Sequence, residues 1–202
     1  MKEFISWINS KEITEEEPSI RAGLAHYHLA LIHPFGDGNG RTARLIEALL
    51  LRTAGIKYVP IMLSNFYYRN MDEYFWTFSN SIKNKENDVT PFMEFFFRGV
   101  IDSLEDIRER ITSLIRTLAL RDYYGFLKGE KAITQRQHDL LTVLLEQLQP
   151  VRLVDLLHKP PFNILYGKVS ERTARRDLKK LLDNKLLNLE GNNYTLNLRV
   201  LG

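Results

Sequence analysis

The sequence of 202 residues contains no cysteine and no low-complexity segment. The missing thiols exclude disulfide frameworks, thiol nucleophiles and cysteine-ligated zinc or iron–sulfur centres, and they fit a reducing compartment. A hydrophobic share of 44% with a charged share of 26% is typical of a globular chain that forms a core. Disordered and collagen-like classes are therefore excluded.

Long apolar runs and targeting signals are also missing. No stretch approaches the roughly 18 consecutive apolar residues that a membrane-spanning helix needs. The first ten residues contain the acidic Glu3 and lack the basic-then-apolar pattern of a signal peptide. We therefore expect a cytoplasmic protein that does not act at a membrane.

Excess positive charge is confined to the last third of the chain. Residues 1–130 contain 16 basic and 18 acidic side chains, a net charge of −2, whereas residues 131–202 contain 12 and 7, a net charge of +5. Such asymmetry suggests two modules with different partners, the second facing nucleic acid or an acidic protein. A polar stretch near residue 130 predicts the domain boundary, with domains 1–129 and 130–202.

Hydrophobic periodicity predicts that the first module is entirely helical. Apolar residues recur at helical spacing, and no strand pattern precedes residue 130. The first helix must end before Pro34, because the residue before a proline is driven out of helical geometry. The predicted helices cover 19–32, 41–53, 64–81 and a long segment that opens at Thr90-Pro91.

The second module is predicted to contain three helices followed by a β-hairpin. Leucines at helical spacing mark the helices, and the third begins at Ser170. Two short apolar runs, 186–189 and 194–198, flank the turn residues 190–193. The expected fold class is therefore mainly α, a helical domain followed by a small winged helix-turn-helix domain.

The segment 33–44, His-Pro-Phe-Gly-Asp-Gly-Asn-Gly-Arg-Thr-Ala-Arg, has the composition of an anion site. Its three glycines permit close approach of the backbone to a ligand, and the turn presents free amides at a helix N-terminus. Arg41 and Arg44, three residues apart on one helical face, can clamp more than one phosphate oxygen.

Two further residues of this segment add a metal ligand and a proton acceptor. Asp37 is a hard carboxylate beside the anion site, which suits Mg²⁺ held jointly with phosphates. His33 lies at the rim of the turn and can take a proton at neutral pH. A plain helix–turn–helix connection would account for any one of these residues, but not for the histidine, the paired arginines and three glycines together.

The other histidines do not suggest a metal site. His26 and His28 are two residues apart on a helix and so point to nearly opposite faces. We interpret His26 as a buried structural partner of the turn. His138 and His158 have no neighbours in sequence that resemble metal ligands.

The segment 33–44 resembles the signature of the Fic family, His-x-Phe-x-Asp/Glu-Gly-Asn-Gly-Arg-x-x-Arg, at every specified position. The resemblance extends over roughly residues 1–125. It implies a helical domain that transfers AMP from ATP to a Ser, Thr or Tyr hydroxyl of a target protein. The related Doc kinases have lysine in place of Gly40, so the resemblance favours nucleotidyl transfer over phosphorylation.

The resemblance also implies a role for each residue of the site. His33 would be the general base that deprotonates the target hydroxyl, and Asp37 would hold Mg²⁺ that bridges the α- and β-phosphates. Three groups would complete the ATP site: an anion hole of Gly38, Asn39 and Gly40, a β/γ-phosphate clamp of Arg41 and Arg44, and an aromatic pair near the adenine, Tyr74 and Phe75. Aromatic residues at helical spacing are more often part of a core.

Two elements that Fic proteins usually carry are absent from the sequence. One is an upstream β-hairpin flap that holds the target peptide. The other is an inhibitory helix with Ser/Thr-x-x-x-Glu-Gly/Asn, whose glutamate engages the arginine numbered 44 here. The nearest echoes are 90–94, followed by phenylalanine, and 81–87, which is one residue too long. We interpret the chain as a fragment of a longer protein in preference to a stripped-down variant.

The tail resembles the winged helices that are often appended to bacterial Fic proteins, with 170–178 as the recognition helix. Basic side chains on one face of this helix are candidate DNA contacts: Arg172, Arg175, Arg176 and Lys179. Winged helices also serve as homodimerisation or docking modules. The connection 159–169 is longer than the usual turn, which weakens the DNA interpretation.

The sequence leaves three functions open. The first is an AMP-transferring enzyme, acting by addition or by removal of AMP. The second is a DNA-binding regulator whose helical half senses nucleotide, and the third is a docking protein with a decayed active site. The intact motif argues against decay.

Overall fold

The computed structural model describes residues 1–83 and 88–201, which form helices and one short antiparallel hairpin. This confirms the predicted fold class, mainly α with a small hairpin near the C-terminus. The helices, in chain order, are α1 Lys2–Ile8, α2 Lys11–Thr14, α3 Pro18–Ile32, α4 Asn39–Thr53, α5 Val59–Arg69, α6 Met71–Lys83, α7 Thr90–Gly129, α8 Gln135–Gln147, α9 Leu153–His158, α10 Phe162–Tyr166 and α11 Glu171–Asp183. The strands are β1 Leu187–Glu190 and β2 Asn193–Leu196. No helix in the described ranges is long and apolar enough to cross a bilayer.

Contacts between residues divide the chain into two units, Met1–Ile111 and Thr112–Gly202. The division lies inside α7, upstream of the boundary that charge and composition suggest near residue 130. The physical reason is that Leu120 and Tyr124, in the last part of α7, are fully buried in the second unit's core. A composition shift cannot reveal this, because one continuous helix supplies residues to both units.

In the first unit, α3 packs against α4 through small residues. Ala22, Ala25 and Ala43 are fully buried and allow the two helix backbones to approach closely. Aromatic rings from α5 and α7, among them Phe66, Phe92, Phe95 and Phe96, fill the neighbouring core. This packing fixes the relative position of the two helices that flank the segment 33–44.

The region 64–81, predicted as one helix, contains parts of two helices. Helix α5 ends at Arg69 and α6 begins at Met71. The break lies at Asn70, whose backbone leaves helical geometry at φ −118° and ψ 39°. Its side-chain amide donates to the Phe66 carbonyl at 2.9 Å, the local competition with helix hydrogen bonds that asparagine side chains offer.

In the second unit, the described residues after α7 contain four helices where the sequence predicts three. The additional helix, α10, lies within the long 159–169 connection. Helix α11 begins directly after Ser170, whose side chain caps it by accepting from the Thr173 amide. The hairpin forms as predicted, pairs Leu187 with Leu196 and turns at Gly191.

The two predicted echoes of an inhibitory motif have different outcomes. Residues 90–94 form the first turn of α7, where the Thr90 amide is capped by the Asp88 carboxylate at 2.9 Å. The other echo, 81–87, includes residues 84–87, which lie outside the described residues.

Candidate nucleotide site

The turn between α3 and α4 holds His33 at the very end of α3. His33 adopts a left-handed conformation, φ 48° and ψ 55°, and its amide donates to the Leu29 carbonyl. Such a conformation is uncommon for a residue with a side chain, and strained residues of this kind cluster at functional sites. The side chain is exposed.

Asn39 holds the turn in shape through its side chain. The Asn39 Oδ1 accepts from the Phe35 amide at 2.9 Å, and the Asn39 Nδ2 donates to the Phe35 carbonyl at 2.6 Å. The residue is 4% exposed. Because the side chain is engaged in this reciprocal pair, only the backbone amide of Asn39 is left for an anion.

Two glycines keep the start of α4 open. Gly38 has φ +85°, a conformation that side chains disfavour, and a Cβ at Gly40 would lie 3.4 Å from the Arg44 guanidinium. The first intrahelical bond of α4 runs from the Thr42 amide to the Gly38 carbonyl. The amides of residues 39–41 therefore point out of the helix N-terminus, the geometry that binds anions.

Asp37 and Arg41 form an exposed ion pair at the mouth of the turn. The Arg41 Nη2 donates to the Asp37 Oδ2 at 2.9 Å, and the two side chains are 74% and 91% exposed. Exposed pairs of this kind contribute about 0–1 kcal/mol. Both side chains can therefore exchange this contact for a ligand at little cost.

All nine residues predicted for the nucleotide site line one cavity of about 920 Å³. They come from the turn, the first turns of α4, and α6: His33, Asp37, Gly38, Asn39, Gly40, Arg41, Arg44, Tyr74 and Phe75. A polar end rich in amides and arginine therefore meets an aromatic end in one space. The volume is in the range of small-molecule sites.

The two aromatic candidates differ in environment. Tyr74 is only 6% exposed and belongs to the core as well as to the cavity wall, whereas Phe75 is 59% exposed. Burial raises the pKa of the Tyr74 hydroxyl to about 12, against an opposing effect of Arg44. Tyr74 therefore forms a fixed part of the cavity wall, whereas the exposed ring of Phe75 can be covered by a ligand.

Sequence reasoning missed a buried polar cluster beneath the cavity. Glu47, 2% exposed, accepts a hydrogen bond from the Tyr67 hydroxyl at 2.7 Å and pairs with the Nδ1 of His26. The other ring nitrogen of His26 lies 3.0 Å from the Tyr74 hydroxyl. Burial, reinforced by the Glu47 carboxylate, raises the pKa of Tyr67 well above its usual value. His26 is buried as predicted, but these partners lie on α4, α5 and α6 and not in the turn.

The signal for Glu47 was present in the spacing of α4. The buried residues of this helix follow one another every four positions: Asn39, Ala43, Glu47 and Leu51. An acidic residue on the inward face of a helix needs a buried partner. Leu45 and Leu49 are also four residues apart on this helix, but they are 67% and 54% exposed.

Asp37 is the one acidic side chain that lines the cavity among the described residues. The described part of the chain also contains no group of three or more His, Cys, Asp or Glu side chains that could hold a metal by themselves. A cation at this site would therefore need ligands from a bound substrate in addition to Asp37.

The basic candidates of the tail lie on α11 in the second unit. Arg172, Arg175, Arg176 and Lys179 are all exposed. The Arg175 Nε donates to Glu171 at 2.9 Å, one turn earlier. Part of the positive charge on this face is therefore already paired.

A family model matches the N-terminal part of this chain, and two curated proteins are similar to about half of it. Residues 1–51 match the Fic/DOC family model. A protein adenylyltransferase Fic of Drosophila erecta is 36% identical over 124 residues, 58% of this chain and 23% of that protein. A protein adenylyltransferase Fic of Aedes aegypti is 40% identical over 95 residues, 47% of this chain and 17% of that protein.

The chain spans less than a quarter of the length of these two relatives. The matched residues 1–51 contain α3, the glycine turn and most of α4, which are the elements that build the polar end of the cavity. The comparisons therefore support the resemblance of the segment 33–44 to the Fic family, over the part of the chain that they match.

Proposed function

We propose that this chain is a nucleotidyltransferase that moves AMP from ATP to a Ser, Thr or Tyr hydroxyl of a target protein. The observation that carries the proposal is the single cavity in which the α4 N-terminus, two arginines, a carboxylate, a histidine and aromatic rings converge. The curated relatives, both called protein adenylyltransferase Fic, support the same activity.

The phosphates of ATP bind at the polar end of the cavity. The amides of residues 39–41 surround an anion, and Arg41 and Arg44 neutralise the β- and γ-phosphates. Gly40 lies beside this clamp, since a Cβ there would be in van der Waals contact with the Arg44 guanidinium at 3.4 Å. The base lies against Tyr74 and the exposed ring of Phe75.

Asp37 fits the role of a magnesium ligand. Its carboxylate lines the cavity, is 91% exposed, accepts a hydrogen bond from the Gly38 amide at 2.6 Å and forms a weak surface pair with Arg41. Mg²⁺ usually takes one or two protein carboxylates and completes its shell with phosphates and water. When bound, the ion would neutralise charge on the phosphates.

The reaction exchanges one phosphorus–oxygen bond for another. The target hydroxyl attacks the α-phosphorus, the bond from that phosphorus to the oxygen bridging to the β-phosphate breaks, and pyrophosphate leaves. His33 takes the hydroxyl proton. The helix amides and the arginines position the phosphates and stabilise their charge. These two effects supply most of the reduction in the activation barrier.

Two substitutions separate chemistry from binding. His33→Ala should lower AMP transfer about 100-fold or more, the scale of losing a general base, and leave ATP affinity nearly unchanged. Arg44→Ala should weaken ATP binding about tenfold or more, because hydrogen bonds to charged groups contribute about 1.5–3 kcal/mol. Transfer is measured with ATP labelled at the α-phosphate and protein acceptors of a cell extract, and affinity by calorimetry.

The matched control is Arg52→Ala, an exposed arginine on the last turn of the same helix and outside the cavity lining. Equal transfer by the wild type and the His33 variant would remove the general-base role. Protein labelling from the γ-phosphate and not from the α-phosphate would identify a kinase instead.

The second unit suggests an additional partner. We infer that residues 130–202 form a winged helix, on the basis of the helices α8, α9 and α11, with the short α10 between the last two, followed by the hairpin. The exposed Arg172, Arg176 and Lys179 on α11 favour contact with DNA phosphates, and the Glu171–Arg175 pair favours a docking or dimerisation role.

A further inference from the structure

Two of the tyrosines that line the cavity, Tyr67 and Tyr74, are almost completely buried, at 3% and 6% exposed. Their hydroxyls bond to a buried pair, Glu47 and His26, which does not belong to the cavity lining. The Tyr67 hydroxyl donates to Glu47 at 2.7 Å, and the Tyr74 hydroxyl lies 3.0 Å from the Nε2 of His26. Each ring is therefore part of the cavity wall, and its hydroxyl is held by a residue outside the cavity.

A count of donors and acceptors assigns a direction to each hydrogen bond of this cluster. An ionised Glu47 carboxylate can only accept, so the Tyr67 hydroxyl and the Nδ1–H of His26 both donate to it. A neutral His26 that donates from Nδ1 has its acceptor at Nε2, which accepts from the Tyr74 hydroxyl. One carboxylate thus anchors both tyrosines, Tyr67 directly and Tyr74 through His26.

The three rings of the cluster also pack against one another. The His26 ring centroid lies 5.2 Å from that of Tyr67 and 5.7 Å from that of Tyr74, and the two tyrosine centroids are 5.6 Å apart. Closely packed rings cannot shift independently. A displacement of His26 would therefore move both tyrosines of the cavity wall.

Glu47 acts differently on the two ends of the cavity. Arg44, one turn before Glu47 on α4, is close enough to act on both tyrosines: burial raises the pKa of their hydroxyls, and the Arg44 guanidinium opposes the rise. Loss of the negative charge of Glu47 near this arginine cannot weaken the binding of an anion by electrostatics. We therefore expect loss of Glu47 to disturb the aromatic end of the cavity and to spare the phosphate end.

We propose that Glu47 is a positioning residue for the nucleobase, which holds Tyr67 and, through His26, Tyr74 in the orientation against which the base packs. Side chains that are already ordered bind a ligand more tightly, because their ordering does not oppose binding. This inference rests on the proposed binding of ATP in this cavity. It adds a residue that contributes affinity for the base and none for the phosphates.

The first test compares ATP with inorganic triphosphate, which has the phosphates and no base. Glu47→Ala should weaken ATP binding about tenfold, as loss of a supporting hydrogen-bond partner does at metal sites, and should leave the affinity for triphosphate unchanged or higher. Glu47→Gln, which can still bond to Tyr67 and His26, should recover most of the ATP affinity. Isothermal titration calorimetry of the full chain with Mg²⁺ measures both ligands.

Two controls separate positioning from stability and from phosphate binding. Leu51→Ala removes a fully buried side chain one turn further along α4, so it destabilises the fold and should leave the affinities of the folded protein unchanged. Arg44→Ala should weaken the binding of both ligands. Equal weakening of ATP and triphosphate by Glu47→Ala would show a merely structural role and would overturn the proposal.

The second test removes single oxygen atoms and so does not depend on the folding of the Glu47→Ala variant. Tyr74→Phe and Tyr67→Phe keep each ring and delete its anchor. Each should weaken ATP binding about fivefold, the effect of one hydrogen bond, and leave triphosphate binding unchanged. Tyr27→Phe, 2% exposed in the same core and outside the cavity lining, is the matched control and should bind ATP as the wild type does.

The outcomes distinguish this inference from the proposed function. A wild-type chain that binds neither ATP nor triphosphate contradicts the proposed function, and this inference with it. A wild-type chain that binds ATP, with Tyr74→Phe and Tyr67→Phe variants that bind it as tightly as the Tyr27→Phe control, contradicts this inference alone.

Discussion

Glu47 illustrates how one buried residue connects the core to the nucleotide site. Its carboxylate contacts Tyr67 and His26, and the His26 ring lies 3.0 Å from Tyr74, which lines the cavity. A buried carboxylate is tolerated only with such partners, since each unpaired buried polar group destabilises the fold. The wall of the cavity is thus held by a cluster with side chains from α3, α4, α5 and α6.

We expect Glu47→Ala to lower the free energy of unfolding by about 3 kcal/mol or more, because the buried His26 and Tyr67 lose their common partner. Urea denaturation followed by circular dichroism measures the change. Glu47→Gln, which keeps an oxygen acceptor for Tyr67, should lose less. Glu12→Ala on the exposed face of α2 is the control and should change stability by no more than about 0.5 kcal/mol. A Glu47→Ala variant as stable as this control would show that the cluster contributes nothing to folding.

At the scale of single elements, α4 and α11 use the same tetrapeptide in different ways. Arg-Thr-Ala-Arg occurs at 41–44 and again at 172–175. In α4 a left-handed Gly38 precedes the helix and leaves its amides open, whereas in α11 the Ser170 side chain caps the Thr173 amide. The start of α4 can therefore donate backbone amides to an anion, whereas α11 presents only its basic side chains.

If α11 contacts DNA, affinity for a duplex should fall steeply with salt. Each neutralised phosphate contributes about −0.9 to the log–log slope, so contacts by Arg172, Arg175, Arg176 and Lys179 give a slope of roughly −3 to −4. Fluorescence anisotropy of a labelled duplex with the full chain measures this slope. Arg176→Glu should flatten it, and Lys131→Glu, with the same charge change outside α11, should have a smaller effect. Binding that is absent even at low ionic strength leaves docking as the role of this unit.

At the scale of the whole molecule, the cavity and the excess positive charge belong to different parts of the chain, each with its own core. The cavity is lined entirely by residues of Met1–Ile111, whereas the excess positive charge lies in the last third of the chain. Binding of ATP should therefore stabilise the first unit in preference to the second. This separation can be measured without knowledge of the target protein.

We expect ATP with Mg²⁺ at 100 times its dissociation constant to stabilise the first unit by about 2.7 kcal/mol, which slows hydrogen exchange through unfolding about 100-fold. Peptides that contain Leu63 and Phe96, from the first core, should report this protection in mass spectrometry. Peptides that contain Leu141 and Leu178, from the second core, should exchange as before. Equal protection of both cores would instead indicate that the two units unfold together.

Local chemistry made much of this protein predictable from its sequence. The glycine turn, the capped start of α11 and the hairpin depend on residues within a few positions of one another, so their types and spacing suffice. Seven of the nine residues predicted for the nucleotide site lie within the segment 33–44, where residue types and spacing single them out, whereas Tyr74 and Phe75 followed from the resemblance to the Fic family. Their chemical roles stay predictions.

Tertiary structure alone decided the features that depend on distant neighbours. Whether Leu45 faces solvent and Glu47 faces the core is set by which helices pack on α4, and the contact between His26 and Tyr74 joins residues 48 positions apart. The same holds for Leu104, Ile111 and Leu118 of α7, which have the spacing of core residues and yet are exposed. The spacing of hydrophobic residues identifies one face of a helix, but only the packing of the whole chain determines what that face contacts.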